Sequence, residues 1–141
     1  MNNLAPDLSK TTRKLHGNNT KKLVFAAFTR MTSEKGLKNY QAFRKRINEL
    51  GIKAEFRVYT NGDAPDGWKL YEPVPDIRTE LSEVDFVCSL ADTESFGYTI
   101  AEANSCGVPC VIKRCNSTKE FWSDKDNLIL DDAEDFDAKD L

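Results

Sequence analysis

Residues 86–113 read Phe86-Val87-Cys88-Ser89-Leu90, then Ala91-Asp92-Thr93-Glu94-Ser95-Phe96-Gly97, then Tyr98-Thr99-Ile100-Ala101-Glu102-Ala103-Asn104-Ser105-Cys106-Gly107-Val108, and close on Pro109-Cys110-Val111-Ile112-Lys113. The first and last pieces are short apolar runs of the kind shown by strands covered on both faces. Between them, Tyr98 to Cys106 has the character of a helix, and Gly107 stands where a helix C-terminus needs a residue free to turn left-handed. Strand, helix and strand in so short a space predict a βαβ unit, and with it a parallel sheet.

The same alternation extends outward. Lys22 to Phe28 (KLVFAAF) is another apolar run. Leu37, Tyr40, Phe43, Ile47 and Leu50 recur at three-to-four spacing with Lys38, Arg44, Lys45 and Glu49 between them and Gly51 as a stop, which predicts an amphipathic helix. Ala54 to Thr60 predicts a second strand, ended by Asn61-Gly62-Asp63-Ala64-Pro65-Asp66-Gly67, where every residue type favours a turn. Asp76 to Val84 reads as a short helix and Asn127 to Leu130 as a last strand. No internal repeat interrupts the order. Residues 1–21 are polar and aperiodic and read as an arm or linker, so the expected folded unit is residues 22–141: one α/β domain, a parallel sheet with helices on both faces. In such sheets ligands sit at the carboxyl ends of the strands, which directs attention to the strand-to-helix loops.

Composition bounds the function. At 141 residues, 40% hydrophobic and 30% charged, with 7 glycines, 5 prolines and 14 aromatics, the chain has enough apolar material for one core and is neither disordered nor fibrous. No run approaches the roughly 20 apolar residues of a membrane span, and the first 20 residues lack an apolar signal core. The expectation is a cytoplasmic protein with no membrane span, and with reduced thiols, because Cys88, Cys106, Cys110 and Cys115 contain no CxxC pair. The same spacing gives no zinc site, so no metal is expected; Cys88, Cys106 and Cys110, on apolar or small-residue stretches, read as small buried hydrophobes. Net charge is −3, yet residues 1–53 carry +9 and residues 54–141 carry −12. The basic half has little aromatic interleaving and the last eleven residues hold six acids, so no nucleic acid is expected as a partner.

Known phosphate signatures can be tested directly. No two glycines flank a single residue, which removes GxGxxG, and no glycine precedes a lysine, which removes the P-loop. The one histidine, His16, lies in the arm and leaves little scope for a hydrolase triad. What remains is the loop and helix after Leu90. Gly97 allows a ligand close to the backbone, and the free N–H groups of the next turn favour an anionic phosphate. Glu102, one turn deeper, can accept hydrogen bonds from two ribose hydroxyls; Glu94, ahead of the helix, can reach the hydroxyls of a sugar beyond the phosphates. Two carboxylates beside an anion need cations, and Thr29-Arg30-Met31-Thr32-Ser33-Glu34-Lys35-Gly36 after the first strand offers Arg30 and Lys35. The alternatives are plainer: a solvated acid and a helix-face acid for Glu94 and Glu102, a solvated loop for Arg30 and Lys35. Trp68 and Trp122 are open between a base-stacking platform, the core and a partner surface.

Taken together, these residues resemble the nucleotide-sugar-binding, C-terminal half of a retaining glycosyltransferase of the two-Rossmann-domain (GT-B) type, close to glycosyltransferase family 4. Arg30 and Lys35 in R-x4-K-G are similar to the family's diphosphate-binding cations. Glu94 and Glu102 match its motif of glutamate, seven residues, glutamate. Cys106-Gly107-Val108-Pro109-Cys110-Val111 is similar to the family's Gly-x-Pro-Val-Val strand entry, and Asp85-Phe86-Val87 to the strand preceding the motif. The resemblance covers about residues 22–130, in the family's order and spacing.

It implies a Rossmann-like fold and a donor substrate that is a nucleotide-diphosphate sugar, with no separate cofactor. Arg30, Lys35 and Glu94 would be catalytic, the two cations neutralising the leaving diphosphate in place of a metal. Glu102 would hold the ribose, and Glu94 with the backbone of Phe96, Gly97, Tyr98 and Thr99 the donor sugar and its phosphates. Retention of anomeric configuration is likewise only implied. The sequence departs from the family at Asn61 to Pro65, where a Gly-x-Gly turn is usual, in the abbreviated Tyr71 to Pro75, and at Asn127-Leu128, which lacks a glycine. The largest departure is the missing half: complete enzymes close two such domains over the donor, so an acceptor-binding N-terminal domain or partner subunit is expected and the isolated chain is expected to be inactive. The alternative class is a non-catalytic α/β interaction module. A receiver-like domain would need acids at the end of its first strand, where this chain has Thr29-Arg30.

Overall fold

The computed structural model describes residues 22–91, 98–114, 126–137 and 139. Six strands form one sheet: β1 (Leu23–Ala27), β2 (Ala54–Tyr59), β3 (Trp68–Tyr71), β4 (Phe86–Ser89), β5 (Cys110–Lys113) and β6 (Leu128–Leu130). All pairings are parallel, in the order β3-β2-β1-β4-β5-β6. Helices α1 (Leu37–Glu49) and α2 (Tyr98–Ser105) follow β1 and β4, and short 3-10 turns lie at Ser33–Lys35, Ile77–Thr79, Leu81–Glu83 and Ala133–Asp135. The expected α/β architecture is the one observed.

Strand side chains alternate between two faces, and both faces are covered, which is why the strands read as nearly unbroken apolar runs. On one face Tyr40, Phe43 and Ile47 of α1 pack on Leu23, Phe25, Phe56, Val58, Phe86 and Cys88. Phe25 is the hub there. Its ring stacks on Phe56 at 5.4 Å and Phe86 at 5.5 Å and takes the edge of Phe43 at 5.2 Å, with Phe136 closing over it at 6.5 Å. On the other face Ile100 and Ala103 of α2, with Leu81 and Val84, cover Ala26, Val87, Cys110 and Ile112. A reciprocal amide pair, Asn104 with Asn127 at 2.9 and 3.0 Å, ties α2 to the entry of β6, and the Asn127 oxygen also accepts from the Cys110 N–H.

Two elements differ from expectation. The short helix expected over Asp76 to Val84 is instead two 3-10 turns with i→i−3 bonds, Glu80 N–H to Ile77 O and Val84 N–H to Leu81 O. This segment must carry the chain from β3 back across β2 and β1 to β4, and a 3-10 turn advances about 2.0 Å per residue against about 1.5 Å for an α-helix. Trp68–Tyr71, to which the sequence assigns no element, forms the edge strand β3, registered with Phe56 to Tyr59 of β2. Its Trp68 goes to the core, edge-on to Tyr40 and tilted on Phe56. The edge is pinned by Arg57, whose guanidinium donates to Glu55, to Glu83 at 3.0 Å and to the Tyr59 hydroxyl, and lies 5.2 Å over the Tyr71 ring. The expected arm, residues 1–21, lies outside the described residues, as do His16, Cys115 and Trp122.

Candidate functional site

The chain runs from β1 outward to β3, returns over the sheet to β4 and then runs outward to β6. The order therefore reverses between β1 and β4, and the strand ends on either side leave a crevice there. The paired register between these two strands covers only Phe25 with Phe86 and Ala26 with Val87. Above it lies a cleft of about 120 Å³ lined by Phe28 and Thr29 after β1, Lys35 and Tyr40 from the loop and helix that follow, Cys88, Ser89 and Ala91 of β4 and its exit, and Thr99 of α2.

Two of the residues singled out from sequence, Lys35 and Thr99, thus meet in one cleft. Lys35 ends a 3-10 turn, and Gly36 behind it adopts φ 90°, the left-handed conformation. A side chain at Gly36 is excluded a second time by space: a Cβ there would lie 2.8 Å from both the Ala91 Cα and the Leu90 oxygen. The start of α1 therefore presses directly on the exit of β4. Thr99 lies in the first described turn of α2, toward the end of the helix where the dipole is positive. Among the described residues that line the cleft, Lys35 is the charged one.

Arg30 follows Thr29 directly and is exposed, outside the lining of the cleft. Tyr98 opens α2 with 70% of its surface exposed. Glu102 sits one turn along α2, half-buried. Arg78, on the turn that packs beside α2, is raised in pKa by its two-oxygen pairing with Asp76, and more weakly by the charge of Glu102. Glu94, Phe96 and Gly97 lie outside the described residues.

The sequence reading missed Tyr40, Asn39 and Cys88 as site neighbours. Tyr40 is 2% exposed and its hydroxyl accepts from the Leu90 N–H at 3.2 Å and donates to the Cys88 oxygen at 3.4 Å, while the Asn39 amide donates to the Leu90 oxygen at 2.6 Å. Cys88 and Cys110 are buried as expected, and burial pushes both thiols up. Cys106 is exposed, contrary to the expectation of a buried residue, because the turn that closes α2 faces solvent. Cys88, Cys106 and Cys110 are free thiols. No group of three His, Cys, Asp or Glu is placed to hold a metal, and no helix is long and apolar enough to cross a membrane, among the described residues.

Residues 22–139 match the family described as glycosyl transferases group 1, and the chain belongs to that family. No curated protein gives a significant match. Among solved structures, HepE of Anabaena in complex with UDP and glucose superposes with a TM-score of 0.66 at 14% identity, over 93% of this chain and 41% of that one. WaaG, a glycosyltransferase involved in lipopolysaccharide biosynthesis, gives 0.63 at 14% identity, over 95% and 40%. TarM gives 0.57 at 16% identity, over 84% and 26%. These likenesses show a shared fold. The chain spans about two fifths of the length of HepE and WaaG.

Proposed function

We propose that residues 22–141 form the donor-binding, C-terminal half of a glycosyltransferase and hold a nucleotide-diphosphate sugar at the β1/β4 crevice. The observation that carries this is the convergence of Lys35 and the α2 start at Thr99 on one cleft at the point where the strand order reverses. A diphosphate placed there meets a cation on one side and the positive end of a helix dipole on the other, a combination that favours phosphate without a metal. Lys35, with Arg30 beside the cleft, neutralises the leaving diphosphate as the glycosidic bond breaks. Glu102, one turn along the same helix, takes the ribose hydroxyls. Glu94, with the backbone of Phe96, Gly97, Tyr98 and Thr99, holds the sugar and its phosphates. UDP is the first nucleotide to test, since HepE binds it on the same fold.

The acceptor, and the surface that closes over the donor, come from an N-terminal half or partner subunit, so this chain binds its donor without transferring the sugar. Calorimetric titration with UDP, GDP and ADP tests the reading. Binding of one of them, weakened at least tenfold by Lys35→Ala and by Glu102→Ala, is the expected result, together with no sugar transfer from the matching nucleotide sugar. Absence of binding at millimolar nucleotide, or binding indifferent to both substitutions, sinks it.

A further inference from the structure

We infer that Tyr40 and Asn39 are positioning residues that set the width of the crevice by replacing the part of the sheet that is absent where β1 and β4 separate. Alternate residues of a parallel strand direct their backbone groups to opposite neighbours. Val87 donates its N–H to Pro109 on the β5 side, so Cys88 and Leu90 direct theirs toward β1. The paired register with β1 ends at Ala26 and Val87. Beyond that point the Cys88 oxygen and the Leu90 N–H meet the Tyr40 hydroxyl, and the Leu90 oxygen meets the Asn39 amide. Two side chains of α1 thus do what the next residues of β1 would have done.

The consequence is mechanical. Tyr40 and Asn39 belong to the same first turns of α1 that Gly36 begins, and Gly36 is seated against Leu90 and Ala91. Lys35, one residue before Gly36, Ala91, one residue after Leu90, and Tyr40 all line the cleft. The brace therefore fixes how the start of α1, with the cation just ahead of it, is seated on the exit of β4. Opening the sheet to admit a ligand leaves backbone groups that must be satisfied, since buried N–H and C=O groups are nearly always paired. Here the satisfying groups sit on the element that also presents the lysine.

This inference rests on the donor-binding reading. The test is UDP titration of the full chain and of Tyr40→Phe, Asn39→Ala and Ile47→Val, each checked by thermal melting to be folded at the titration temperature. Tyr40→Phe keeps the ring in the core and removes only the hydroxyl; Asn39→Ala reports independently should the first variant fold poorly. Ile47→Val loosens the same helix two turns from the brace. Both brace variants are expected to weaken UDP roughly fivefold to tenfold, the range for one or two hydrogen bonds, with Ile47→Val unchanged in affinity although lowered in melting temperature. Wild-type affinity in both brace variants, or an equal loss in Ile47→Val, overturns the positioning role and leaves the donor-binding reading intact. No binding of UDP, GDP or ADP by the wild type overturns both; where GDP or ADP binds in place of UDP, the same variants are titrated with it.

Discussion

Gly36 is held by two separate constraints, a left-handed φ of 90° and the backbone of Leu90 and Ala91 at 2.8 Å from where a Cβ would be. Neither can be relieved by rotating a side chain. Gly36→Ala is accordingly expected to cost at least about 1–3 kcal/mol from backbone strain alone, and more from the contact with the β4 exit, read as a lower midpoint in urea. A wild-type midpoint would contradict the close seating of α1 on β4. The lysine of the K-G pair owes its place to this glycine, so local backbone geometry and the charge at the cleft are set together.

At the scale of elements, β4 and β5 bury thiols that cannot easily ionise. Burial raises both Cys88 and Cys110 above the ordinary 9.0, and a neighbouring Cys110 adds to the shift on Cys88. A raised folded-state pKa means the folded chain keeps protons that the unfolded chain releases. The stability contribution is therefore intact below about pH 9 and falls as pH rises toward the folded values. Urea unfolding between pH 8 and pH 10.5 is expected to show this decline, and Cys110→Ala to flatten it; an unchanged slope in the variant would argue against the thiols as its source.

Elements with internal periodicity or a paired signal were legible from sequence: β1, α1, β2, β4, α2, β5 and β6 all fall where the apolar spacing put them. Those missed depend on partners outside their own segment. Trp68-Lys69-Leu70-Tyr71 is too short and too mixed to declare itself, and becomes a strand because Phe56 to Tyr59 offers an open edge. Phe136 stands alone in an acidic tail with no period to mark it, yet is fully buried against Phe43 and Phe25. The candidate site divides in the same way. Lys35 and Thr99 belong to local patterns of loop and helix start. Tyr40 satisfies a helical periodicity that explains its ring and conceals the use of its hydroxyl.

For the whole molecule, the strand order makes two three-stranded halves, β3-β2-β1 and β4-β5-β6, and the two-residue register between Phe25–Ala26 and Phe86–Val87 is where they join. Below it the Asp85 N–H adds one bond to the Val24 oxygen at 2.9 Å, and the Asp85 carboxylate accepts from the Val24 N–H at 2.8 Å. By contrast β1 and β2 share five registered pairs. The join is a seam of two registered pairs, against three for β4 with β5 and three for β5 with β6, and the rings of Phe25 and Phe86 stack across it. Partial opening of a native protein follows its lines of least cooperative contact. Amide exchange is expected to be faster at Phe86 and Cys88 than at Phe56 and Val58, and a ligand seated across the crevice to slow the first pair selectively. The seam lies under the candidate crevice, so a ligand held there would act as a rivet as well as a recognition event.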